Sequence, residues 1–178
     1  MYSTEQKDEL VRRLDRARDG LMATVAGLDE VQSNFKPSPE GWSISGILEH
    51  LAIVEDLIIL RVEQLAAGSG DSPNDRFNES DAVLFEKVVD RSQKFQAPER
   101  ARPTGKTLAS SLERLVVSRA KIAEFVRTAP PGFREHSMTH PALGPLDGHQ
   151  WLVALAAHCA RHTQQIIETK TAPGFPAP

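Results

Sequence analysis

The sequence holds a single cysteine, Cys159. An internal disulfide is therefore excluded, and the expected compartment is a reducing cytoplasm. No apolar run approaches the ~20 residues of a membrane span. The opening stretch MYSTEQKDELVRR mixes acidic with basic residues and lacks the apolar segment of a signal peptide. There is no Lys/Arg block, and 21 basic residues stand against 24 acidic ones, so neither a nucleic-acid groove nor a polybasic membrane patch is expected. Internal repeats, low-complexity arrays and convincing alternating strands are also missing.

What remains is helical periodicity. Ser3 and Gln6 have capping-box spacing, and Leu10, Leu14, Ala17, Leu21, Val25 and Leu28 follow at steps of three and four, which predicts a helix over 3–29. Two prolines make 34–40 a connection. Ser43 is placed to cap a second helix marked by Ile47, Leu51, Val54, Ile58 and Leu65, ending near Gly68. The polar stretch 68–81 reads as a loop, and 82–93 as a short amphipathic helix. Leu108, Leu112, Leu115, Ile122 and Val126 mark a third long helix, which Pro130, Pro131 and Gly132 stop. The stretch 133–148 reads as irregular, and a last helix spans 148–170. The expected fold class is all-α, a four-helix bundle with a short extra helix between long helices 2 and 3. A single domain covers 1–172, and 173–178 form an extended tail.

The last helix carries two residues that its apolar pattern does not ask for. Positions 151, 155, 158, 162, 165 and 169 form one stripe, begun by Trp151 and Leu155 and continued by His158 and His162. Side chains four apart on a helix share a face, so two imidazoles can converge on one metal ion, with a third ligand from a facing helix. His50, between Ile47 and Val54 in the stripe of the second helix, is the best candidate for that ligand. The pattern also admits a blander reading, core histidines bonded to carbonyls, because HxxxH lacks the central Glu of HExxH.

Trp42-Ser43, Leu48-Glu49-His50-Leu51, His140-Pro141, Gly144, Trp151, His158, His162, Gln165 and Ile166 together resemble the DinB-like superfamily over almost the whole chain. The resemblance implies a four-helix bundle, often dimeric, whose three metal-binding histidines fall on His50, His158 and His162. It implies zinc or nickel first, with iron and manganese as the other candidates. It also implies a thiol S-transferase type of activity, with a low-molecular-weight thiol as a small-molecule partner. A metal-activated-water hydrolase and a non-enzymatic binding bundle are the alternatives.

Three protein ligands leave a position open for chemistry, where a water or a thiol would be acidified. The catalytic residues themselves are not readable. Gln165, three residues after His162, is a candidate to hold that ring or line the pocket, and Trp42 and Trp151 are candidate packing anchors or pocket walls. Glu49 and Glu55 flank His50 and read as solvated surface. His136 and His140 read as loop histidines, His149 as part of an exposed first turn, and Cys159 as a small buried residue. Ile59 and Leu60 widen the second helix's stripe, in keeping either with the implied homodimer or with burial inside the monomer.

Overall fold

In the computed structural model, residues 2–71, 78–92 and 95–177 are described. Six α-helices, α1 (Thr4–Val25), α2 (Glu30–Asn34), α3 (Ile44–Ala66), α4 (Asp81–Val89), α5 (Leu108–Thr128) and α6 (Gly148–Lys170), occur among these residues with two short strands, β1 (Ser137–His140) and β2 (Gly144–Asp147). The four long ones, α1, α3, α5 and α6, form the bundle. Residues 72–77 of the polar loop, and Gln93 at the predicted end of the short helix, lie outside the described residues.

Each long helix begins at a side-chain cap. Ser3 and Gln6 close a capping box on α1, Ser43 accepts from the Gly46 amide on α3, Thr107 from Ser110 on α5, and Asp147 exchanges bonds with Gln150 on α6. These caps take up amides that no preceding turn can satisfy. The first helix stops at Val25 rather than at 29, because Gly27 turns the chain with φ +76° and Asp29 opens the short α2 with its own capping box. Leu28 still packs on the core, which is why periodicity alone carried the helix too far.

Cross-links show the helix directions. Tyr2 meets His149, Ala17 meets Cys159 and Thr24 meets Lys170, so α1 and α6 run parallel. His50 meets His158 while Arg61 lies over Trp151, so α3 opposes α6. Lys7 reaches the carbonyls of Arg127 and Ala129, so α5 opposes α1. The long helices therefore run up, down, down, up. Two consecutive helices with one direction need a return crossing, and at 1.5 Å per residue a helix the length of α3 spans about 35 Å. The segment between α3 and α5 makes that crossing, and on the way it lays α4 against α6.

Helix α6 consequently packs against α1, α3 and α4, and its N-terminal half is enclosed. Every residue from Gly148 to Ala157 is buried. Its sequence WLVALAA is apolar all round, as a central helix requires.

The stretch read as irregular contains an antiparallel hairpin, in which Ser137 pairs with Asp147 and His140 with Gly144. Four residues per strand, with Pro145 in the second, are too few for alternation to show. Asp71 extends this ladder through a bridge to Ser137. Because β2 runs directly into α6, the hairpin sets where that helix begins. Of the two residues that widen the α3 stripe, Ile59 packs against the core and Leu60 is exposed.

Candidate metal centre

His50 lies in the second turn of α3, and His158 and His162 stand one above the other on α6, where the two antiparallel helices face each other. The Nε2 atoms of His50 and His158 are 3.2 Å apart, and those of His158 and His162 are 3.1 Å apart. One ligand atom from each ring lies within 4.8 Å of the other two. His50 and His162 are buried and His158 is half-buried.

The backs of the rings decide what their fronts can offer. His50 Nδ1 lies 2.7 Å from the Ala101 carbonyl, which can only accept, so Nδ1 carries the proton and Nε2 presents a lone pair. His162 Nδ1 lies 2.8 Å from Gln165 Oε1, with the same consequence. His158 Nε2 thus faces two lone pairs, and a single proton there satisfies only one of them. A cation bound at that point engages all three. The donor set fits a divalent metal, since imidazole nitrogens suit zinc, nickel, copper and iron.

Burial holds these rings neutral. It lowers His50, although the bond to Ala101 works the other way. It takes His158 well below the ordinary histidine range, with His162, His50, His140 and Arg161 acting in the same direction. His162 falls to about 3, first through burial and then through its neighbour His50, against the opposing bond to Gln165. Neutral imidazole is the form that ligates.

These shifts make acid stability testable in metal-free protein. The unfolded chain binds protons near 6.5, whereas folded His162 does not until about 3 and folded His140 until about 4. Between these values the unfolded state holds more protons, so stability is full above about 6.5 and falls as the pH drops toward the folded values. His162 alone loses about 2 kcal/mol by pH 5. Chelator-treated protein should melt several degrees lower at pH 5 than at pH 7, and equal melting temperatures would contradict the neutral, buried imidazoles.

The other candidates are distributed as follows. The Trp42 ring lies 4.9 Å from that of His50 and covers one side of the cluster. Trp151 is buried two turns before His158, with the His140 ring 5.0 Å away and the Arg61 guanidinium 5.4 Å from its ring centre. His136 sits near Gly68, at the far end of α3. Cys159 is buried and donates to the Ala17 carbonyl, away from the ion position.

Three expectations from sequence are corrected. His149 is not in an exposed turn. It is buried, accepts from the Tyr2 hydroxyl at 2.9 Å and donates to Asp81 at 2.7 Å, because the starts of α1 and α4 close over the first turn of α6. Glu49 is buried rather than solvated and receives Thr104 Oγ1 at 2.6 Å and the amides of Gly105 and Lys106 at 2.9 Å each. Burial works to raise its carboxyl, and these bonds outweigh it, leaving the group below the usual range. Glu55, wholly buried, pairs with Arg119 at 2.5 Å. Their place inside the apolar run ILEHLAIVEDLIIL was the signal for both, although a third carboxylate in that run, Asp56, stays partly exposed. The Ala101 carbonyl had no signal, since any residue supplies one.

Fold and site define a helical bundle with a three-imidazole cluster between antiparallel helices. The sequence profile of the DinB superfamily matches residues 13–166, and the chain belongs to that superfamily. An uncharacterised Bacillus subtilis protein, YuaE, is 27% identical over 148 residues, covering 82% of this chain and 88% of its own. The solved structure of Bacillus subtilis YfiT, described as a probable metal-dependent hydrolase with an unusual four-helix bundle topology, superposes with a TM-score of 0.65 at 17% identity, covering 99% of this chain and 92% of that one. At that identity the likeness is one of fold.

Proposed function

We propose that His50, His158 and His162 hold a divalent metal ion, zinc or nickel first and iron or manganese next, in a metal-dependent enzyme of the thiol S-transferase type. The observation that carries this reading is the convergence of three Nε2 atoms, two of them turned into lone pairs by acceptors behind their rings. When bound, the ion supplies Lewis acidity at a position that three imidazoles leave open. The chain's own contribution is to keep the imidazoles neutral and aimed. Ala101 and Gln165 fix the orientation of two rings, and Trp42 limits water on one side.

A thiol partner is preferred over water because Glu49 and Glu55 are committed to other groups and do not stand free as bases for water. The competing reading, hydrolysis, draws on the description of YfiT. The cytoplasmic compartment and homodimer expected from sequence belong to the same proposal.

Elemental analysis of tag-free protein, purified without added metal, tests the site beside a His158→Ala/His162→Ala variant whose helicity is checked by circular dichroism. Near-stoichiometric metal in the wild type and its loss from the folded variant are expected. Turnover of an electrophilic substrate should then require a low-molecular-weight thiol. Turnover with water alone would replace the transferase by the hydrolase. A wild type that stays empty after reconstitution with zinc, nickel, iron and manganese would remove both.

A further inference from the structure

His50 owes its orientation to a carbonyl on a connection, and connections are ordinarily the least constrained part of a fold. Ala101 ends a 3-10 turn (Glu99–Ala101), in which its amide bonds to the Pro98 carbonyl at 2.8 Å and the Arg102 amide to the Glu99 carbonyl at 3.0 Å. The turn alone does not hold Ala101 against α3. The residues that follow it are held by Glu49, the neighbour of His50 in sequence.

One Glu49 oxygen receives the Thr104 hydroxyl, and the other receives two successive amides, those of Gly105 and Lys106. Gly105 has φ +99°, a conformation that glycine adopts without strain and that belongs to this cradle of amides. Three residues earlier on α3, Gly46 lies under Pro103, where an added Cβ would be 3.5 Å from the proline ring. Positions 46, 49 and 50 share one face of the helix. The connection therefore lies along that face, seated on Gly46, tied at Glu49 and delivering its carbonyl to His50.

The geometry points to Glu49 as the positioning residue of the metal centre: it clamps 103–106 to α3 and so holds the Ala101 carbonyl on His50 Nδ1, which fixes Nε2 as the ligand atom. Glu49 does not touch the ion position. It acts on the ligand through one segment of backbone, and the partners behind ligating histidines typically contribute a factor of 10–100 in metal affinity. The affinity consequence rests on the proposed metal function, whereas the orientation of His50 does not.

The test compares wild type with Glu49→Gln, which keeps the length of the side chain but removes the charge that strengthens its bonds to the Gly105 and Lys106 amides, and with Thr104→Val, which removes one part-buried bond. Ser3→Ala, at the N-cap of α1, serves as a control of comparable modest destabilisation distant from the site. Two quantities are read, zinc affinity by chelator competition and the tautomer of His50 by 15N NMR of histidine-labelled, zinc-free protein.

Wild-type His50 should be the Nδ1–H tautomer. Glu49→Gln should give a mixture of tautomers and bind zinc about 10–100-fold more weakly. Thr104→Val should shift both quantities in the same direction by less, and Ser3→Ala should move neither. Should Glu49→Gln fail to fold, Thr104→Val decides against Ser3→Ala. An unchanged tautomer with zinc affinity within twofold of wild type, or an equal loss in Ser3→Ala, would overturn the proposal. If wild type itself takes up no zinc, the tautomer comparison alone decides the role of Glu49, and the metal reading falls only if nickel, iron and manganese are refused as well.

Discussion

Arg119→Met should lower the free energy of unfolding by about 3–5 kcal/mol, whereas the double variant Glu55→Leu/Arg119→Met should stay close to wild type or exceed it. Glu55 on α3 and Arg119 on α5 are 2.5 Å apart, and their side chains are 1% and 4% exposed. Ser118 also donates to Glu55, and Arg119 donates to the Leu14 carbonyl on α1. Removing the guanidinium alone strands a carboxylate inside the bundle. Burial pushes Glu55 upward against the opposing pull of Arg119 and Ser118, whereas Arg119, which burial would lower, is held above its usual value by the Glu55 carboxylate. Among the described residues one nitrogen of Arg119 has no hydrogen-bond partner, which leaves part of its desolvation uncompensated. Replacing both residues with apolar groups removes the desolvation cost together with the attraction. Urea unfolding of the three proteins decides the matter, and a single variant as mild as the double would show that the pair is not buried as described.

Gly148→Ala should be nearly as damaging, at or beyond the upper end of the ~1–3 kcal/mol typical of overpacking. A Cβ at this position would lie 2.3 Å from Phe133 Cε2 and 2.6 Å from the Phe133 carbonyl oxygen. Neither group can retreat. Phe133 is fully buried, with the Phe125 ring 5.3 Å and the Tyr2 ring 5.6 Å away, and its amide is held by the Pro130 carbonyl. Helix propensity favours alanine over glycine by only about 1 kcal/mol, too little to reverse the sign. Because Gly148 is the first residue of α6, the variant should also shift the start of the helix that carries His158 and His162. Thermal melting and zinc affinity should fall together, and an alanine variant as stable as wild type would refute the close approach of Phe133.

Much of this was legible because helices carry a local signal. Leu10, Leu14, Leu21 and Val25 mark the buried face of α1 by spacing alone, and α6 occupies the very span, 148–170, that its pattern predicts. The imidazole trio was legible in part. HxxxH places His158 and His162 together by helix geometry, and the stripe of the second helix marks His50 as the candidate third ligand, but no local pattern fixes which helices face each other, and the likeness to a family supplied that ligand independently. Other features depended on contacts that no local pattern encodes. Glu49 is buried because a connection 55 residues away wraps it, and His149 is buried because Tyr2 and Asp81 close over it. The hairpin was hidden by its brevity, and the break at Gly27 by the apolar Leu28 beyond it.

The central place of α6 bears on how the chain folds. The ring of His50 meets that of a residue 108 positions later, and α1, α3 and α4 all precede the helix they pack against. Until residues 148–170 arrive, the earlier helices have only part of their apolar faces covered. Contacts of such long sequence separation are slow to form, because a large loop must close before any of them contributes. A nascent chain of this fold therefore passes through a stage in which most of its helices are made but their common core is still missing, and exposed apolar faces at that stage favour association with other chains. Two of the three residues proposed to hold the ion travel on the same segment that completes the core, so on that proposal the chain would become competent to bind metal only as it becomes able to stay folded.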